Sequence, residues 1–235
     1  MSWKKLISLL FLYRCAMSFF GQIVVPKFTG LGDAGSWQQG QFHTDVTWYV
    51  DSNAIVANFG AILFHLLLGN KILINLGFQT LAFYGLYRLL IAFDPESRRR
   101  LILLLFLPSF SIWTSVAGKE AVLTFAVSVI CAYFVDLYRN REKLGVIHVV
   151  CLYLIFAMKS HYLIALILVF IVSKFSRYLR QPALLVLIVS IISLAPLYIF
   201  REVINDLSFE ILPHFVGFGR STREIFWIEQ YDVFW

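Results

Sequence analysis

Charge is scarce in this chain. Only 14% of its 235 residues are Asp, Glu, Lys or Arg and 60% are apolar, whereas soluble domains carry about a quarter charged residues. That shortage excludes an ordinary water-soluble domain. Cysteine is rarer still. Cys15, Cys131 and Cys151 fall in apolar stretches without metal-type spacing, which excludes a disulfide framework and a zinc site. Internal repeats and low-complexity tracts are absent.

What is abundant is apolar sequence, in runs of about 15 to 20 residues, the length a transmembrane helix requires. Basic clusters punctuate the runs: Lys4-Lys5, then Arg98-Arg99-Arg100, then Arg139, Arg141 and Lys143, then Lys174, Arg177 and Arg180. Lys and Arg beside short loops stay on the cytoplasmic side, so these clusters orient the spans. The net charge of +6 therefore serves topology. It forms no surface stripe of the kind that nucleic acid requires. The basic start resembles a signal peptide, but Arg14 interrupts its apolar stretch, so an uncleaved anchor is expected.

The runs 6–25, 72–93, 101–116, 121–138, 144–158, 161–175 and 183–200 predict an all-α, polytopic membrane helix bundle of about seven transmembrane helices, N-terminus inside. Residues 1–200 form the transmembrane module, with an external loop at 27–71, and 201–235 form an external tail. The tail ends abruptly at Phe234-Trp235, as a truncated product would.

The stretch 52–69 is apolar enough to cross, but a crossing would flip every later basic cluster outward. Asp51, Asn58 and His65 recur every seven residues, on one narrow helix face. A helix in the outer interface is therefore expected. A single helix over 144–175 would measure about 48 Å, too long for a hydrocarbon core of about 30 Å. A hairpin turning at Lys159-Ser160-His161-Tyr162 keeps both flanking clusters inside.

This topology leaves a few reactive side chains outside. Asp33 lies between Gly32 and Ala34-Gly35, small residues that let a ligand approach closely. Its carboxylate suits a general base, and it equally suits a plain Gly-Asp turn. Trp37 offers an aromatic face to a sugar ring. Asp45 and Asp51 could join Asp33 in holding a divalent cation, although Asp51 is the better cap for the helix that follows. Lys119 is an outward lysine against the topological bias, useful to a phosphate. Its neighbour Glu120 suits a helix N-terminus. Lys159 and His161 fall in the hairpin turn, where they could bind a phosphate, and Arg220 and Arg223 in the tail either form a further anion clamp or lie in a solvated loop. Arg14 and His148 lie inside apolar runs; Arg14 either snorkels inward or faces the bundle interior, and His148 is expected as a hydrogen-bonded interior residue. No metal site and no resident cofactor is assigned, with a divalent cation left open.

Gly32-Asp33-Ala34 after the first span, the interfacial stretch 52–69, the basic inner end of 72–93, and Pro108 to Glu120 before the next helix together resemble the GT-C superfamily of integral membrane glycosyltransferases. That class includes protein O-mannosyltransferases and the aminoarabinose transferases of lipid A. The resemblance covers roughly residues 1–200, with Trp37 nearest to where the family carries a tyrosine. It implies an inverting transferase of the bacterial inner membrane. A polyprenyl-phosphate sugar would donate to a glycan or lipid acceptor, with Asp33 as base. Lys119, Glu120, Lys159, His161, Trp37, Arg220 and Arg223 would then bind phosphate or sugar. Two other classes share the architecture: an O-antigen-type polysaccharide polymerase, and a non-catalytic transporter or assembly subunit.

Overall fold

The computed structural model describes residues 3–24, 27, 33–44, 46, 48–139 and 144–175. Among them the chain is helical throughout, without a strand. The expected span 183–200, the tail, and Asp45, Arg141, Lys143, Arg177, Arg180, Arg220 and Arg223 lie outside the described residues.

Helix α1 (Trp3–Ile23) runs through the first apolar stretch. After it, a short 3-10 helix (Asp33–Gln38) precedes α2 (Ser52–Leu66), whose N-terminus Asp51 caps by accepting from the Asn53 amide at 2.8 Å. Asn70 caps α3 (Lys71–Ala92) in the same way, accepting from Ile72 and Leu73. Two described helices, Trp3–Ile23 and Lys119–Tyr138, are long and apolar enough to cross a membrane. Lys71–Ala92 has the length, but Asn75, Gln79 and Arg88 dilute its apolar character.

The expected single span 101–116 is two helices, α4 (Pro95–Leu105) and α5 (Pro108–Ser115). Pro108 has no N–H to continue the ladder, and it drives Leu107 into an extended conformation (ψ 123°). At the other end Asp94 accepts from the Ser97 amide and Pro95 takes the first helical position, a favoured start. The arginine triplet therefore sits on a helix, where a loop was expected. The Ser97 amide also holds the Asp94 carboxyl below its ordinary pKa.

Helix α6 (Lys119–Tyr138) is the axis of the bundle. It packs parallel to α3, with Phe78 near Val122 and Gly85 against the Phe125 backbone. Helix α1 runs antiparallel to α3, because Arg14 meets Gln79 while Ser18 meets Asn75. Helix α7 (Val146–Lys159) runs antiparallel to α6: its His148 touches Tyr133, with ring centroids 4.9 Å apart, and its Lys159 reaches Glu120. Ser160 alone separates it from α8 (His161–Phe175), which turns back so that Phe170 meets Phe134. The hairpin is real and its turn is tighter than expected.

These directions give the bundle two distinct ends. One gathers the start of α1, the end of α3, the arginines of α4 and the end of α6. There Arg98 stacks 4.5 Å over Trp3 and donates to the Leu90 and Phe93 carbonyls, both at 2.8 Å. Arg139 bonds the Ala92 carbonyl and lies 3.5 Å from Asp94. Cations at the open carbonyls of a helix C-terminus are favoured by the helix dipole. The opposite end holds the 3-10 helix, α2 and the start of α6. Helix α2 meets the first half of α3, through Phe59 on Phe78 and Leu63 on Gly77, and also packs on the 3-10 helix and the start of α6.

Close approach of α3 and α6 needs the missing side chain at Gly85. A methyl group there would fall 2.6 Å from Phe125 Cα and 2.7 Å from its carbonyl oxygen. Gly85→Ala is therefore expected to lower stability by roughly 1–3 kcal/mol despite alanine's better helix propensity. Thermal unfolding in detergent checks this, and an unchanged or raised midpoint would contradict the packing.

Candidate functional site

Several of the singled-out residues converge at the end away from the arginines. Lys119 and Glu120 form the first turn of α6, and Lys159 the last turn of α7. The antiparallel packing of the two helices brings Lys159 Nζ within 3.2 Å of Glu120 Oε1. Each charge also suits its own helix end, acid at an N-terminus and base at a C-terminus. Both side chains remain partly open, at 35% and 45% exposure. Lys159 lies 5.8 Å from the centre of the Tyr162 ring at the start of α8.

The Trp37 ring completes the cluster, 6.0 Å from Lys119 Nζ. It is positioned by α2: at Gly60 a Cβ would sit 1.9 Å from the Trp37 carbonyl oxygen. Only glycine lets the 3-10 helix lie this close. Gly60→Ala should push that helix outward and leave Trp37 more open to an aqueous quencher. Unchanged quenching, in a chain where Trp37 is the retained tryptophan, would contradict this contact.

Asp33 begins the same 3-10 helix, four residues before Trp37. At about 2.0 Å per residue its backbone is about 8 Å along the axis from the Trp37 backbone. Of Asp33 and His161 the backbone alone is described, and Arg220 and Arg223 lie outside the described residues. Asp51 is occupied as the α2 cap. The other members of its seven-residue stripe hold the loop: Asn58 bonds both the amide and the carbonyl of His43, at 2.7 and 3.0 Å, and His65 Nε2 lies 3.1 Å from the Gly40 carbonyl. The stripe is thus a set of anchors for the loop that carries Trp37. Among the described residues no group of three or more His, Cys, Asp or Glu side chains is placed to hold a metal ion.

Beneath this end runs a buried polar network that links α1, α3 and α5. Arg14 is fully buried. Its Nε donates to Gln79 Oε1 at 3.3 Å, and its Nη2 to the carbonyl and hydroxyl oxygens of Thr114, both at 3.0 Å. One turn up, Asn75 Nδ2 donates to Ser18 Oγ at 2.5 Å, and Ser18 Oγ donates to the Ser115 carbonyl at 2.8 Å. Asn75 Oδ1 then accepts from the Ala117 amide at 2.6 Å, which fixes the backbone two residues before Lys119. The sequence did carry a signal for this network: Arg14, Ser18 and Gln22 recur every four residues, as do Asn75 and Gln79, each set on one helix face.

A cavity of about 580 Å³ opens beside the cluster, lined mainly by leucines and reached by Glu120 and Tyr162. The arrangement pairs a greasy recess with the Glu120 carboxylate, itself 3.2 Å from Lys159, and the Tyr162 ring at its edge. Such a combination suits an amphiphile with a charged or hydroxylated head. No family model matches the chain, and neither curated proteins nor solved structures yield a match.

Proposed function

We propose that this chain is an integral membrane glycosyltransferase that moves a sugar from a polyprenyl-phosphate donor to a glycan or lipid acceptor. In this reading the arginine-rich end faces the cytoplasm and the Trp37 end the outer leaflet of a bacterial inner membrane. About seven helices cross, and α2 stays in the interface. The reading rests above all on one observation: Lys119, Lys159, Glu120 and Trp37 meet at one end, beside the 3-10 helix that Asp33 begins.

The chemistry asked of these groups is modest. An acceptor hydroxyl oxygen attacks the anomeric carbon as the bond from that carbon to the phosphate oxygen breaks. The electron pair leaves with the polyprenyl phosphate, and the hydroxyl proton passes to the Asp33 carboxylate. Because the departing phosphate is already a stable anion, cations near it matter more than a strong acid. A lysine at about 4 Å is worth about 4 kcal/mol at an effective dielectric of 20. Lys119 and Lys159 take this role, with His161, Arg220 and Arg223 as further phosphate ligands. Trp37 stacks on the sugar.

The test is direct. The full chain reconstituted in liposomes with a labelled polyprenyl-phosphate sugar and membrane extract as acceptor should release polyprenyl phosphate and label the extract. Release no faster than from empty liposomes would contradict the proposal.

A further inference from the structure

The cavity beside Glu120 has two unlike walls. Leu86, Leu89, Leu101 and Leu104 make an aliphatic face, while Glu120, Thr124 and Ser128 succeed one another at four-residue intervals down α6. This polar edge covers about 12 Å of helix. Neither the Thr124 nor the Ser128 hydroxyl has a hydrogen-bond partner among the described residues. Helical threonines elsewhere in the chain behave otherwise: Thr80 and Thr114 each donate to the carbonyl four residues back, at 2.8 and 2.7 Å. Ser128 is only 5% exposed and lines the cavity. The cavity is therefore where a bound group could meet this hydroxyl.

We propose that this cavity binds a neutral diacylglycerol-type lipid, its two ester carbonyls accepting from Thr124 and Ser128 and its free hydroxyl donating to the Glu120 carboxylate. The leucine face takes the first part of the acyl chains, and the remaining methylenes run into the bilayer. A bare isoprenoid or alkyl chain would leave both hydroxyls unmatched. A phosphate head in this recess would meet the Glu120 carboxylate, because neither Lys119 nor Lys159 lines it. The inference rests on the membrane reading above but not on sugar transfer.

Photolabelling decides it. The full chain in phosphatidylcholine nanodiscs is irradiated with a photoreactive diacylglycerol, without any sugar donor, and the labelled peptides are mapped. Label should concentrate on the cavity-lining stretches of α3, α4 and α6. Unlabelled diacylglycerol should suppress it at least tenfold better than a dialkylglycerol, which lacks the carbonyls, or than phosphatidic acid, which carries a charged head. Thr124→Val with Ser128→Ala should cut labelling at least tenfold, and Glu120→Gln should let phosphatidic acid compete. Equal suppression by the dialkylglycerol, or label spread over all lipid-facing helices, means bulk lipid only and overturns the proposal. The ether comparison uses the unaltered chain, so it decides even where a variant fails to fold. If labelling behaves as expected while no sugar moves, the site stands and the transferase reading falls.

Discussion

Asp33→Asn is expected to cut sugar transfer by roughly a hundredfold to ten-thousandfold, the usual contribution of a positioned general base, while the protein still inserts and folds. Asparagine keeps the shape of aspartate but cannot take up the acceptor's proton at neutral pH. Asp33 begins the 3-10 helix whose Trp37 contacts the Lys119 end of α6, so the carboxylate is attached to the element nearest the cations. The measurement is the rate of polyprenyl phosphate release at saturating donor, read beside the thermal midpoint of the same preparation. A variant with unaltered midpoint and wild-type rate would remove Asp33 from the mechanism.

Asn75→Leu should be the most damaging single change to the fold. Asn75 sits 2% exposed in α3 and joins three elements, donating to Ser18 and accepting from the Ala117 amide. Leucine of similar volume would leave the buried Ala117 amide without an acceptor and the Ser18 hydroxyl without its donor. Each orphaned group costs about 1–3 kcal/mol, so a loss of about 2–5 kcal/mol is expected, or roughly 5–15 °C in the melting midpoint. Thr80→Ala, which removes only an exposed hydroxyl bonded within its own helix, serves as the control and should shift little. Equal midpoints for both variants would show that the network does not hold the helices together.

How far the fold was legible depended on what interrupts each apolar run. Trp3–Ile23 and Lys119–Tyr138 were readable within a few residues because little polar breaks them. The run 101–116 misled, since its helix starts upstream at the Asp94-Pro95 cap and stops before Pro108, both visible signals that apolar counting overrode. Charge parity made the 144–175 hairpin legible, and Phe170 on Phe134 together with Lys159 on Glu120 bears out its direction. The same parity argument implied that Lys119 and Lys159 share an end. That Glu120, and not Lys119, would pair with Lys159 was not readable, because it depends on the rotation of α6 against α7.

The interior was the least legible part. Arg14 stood out as a charge in an apolar run, but its partners lie 65 and 100 positions away at Gln79 and Thr114. No local pattern specifies such pairings. A helix-face count would still have flagged Asn75 with Gln79, and Thr124 with Ser128, as polar stripes in otherwise apolar helices.

Everything functional above requires that the two ends of this bundle face opposite sides of a membrane. The most direct measurement uses a chain with Cys15, Cys131 and Cys151 replaced by alanine, and single Ser36→Cys or Ser97→Cys substitutions. A membrane-impermeant maleimide added to intact cells should label position 36 and leave position 97 untouched until the cells are broken. Labelling of position 97 from outside, or equal labelling of both positions, would contradict the account.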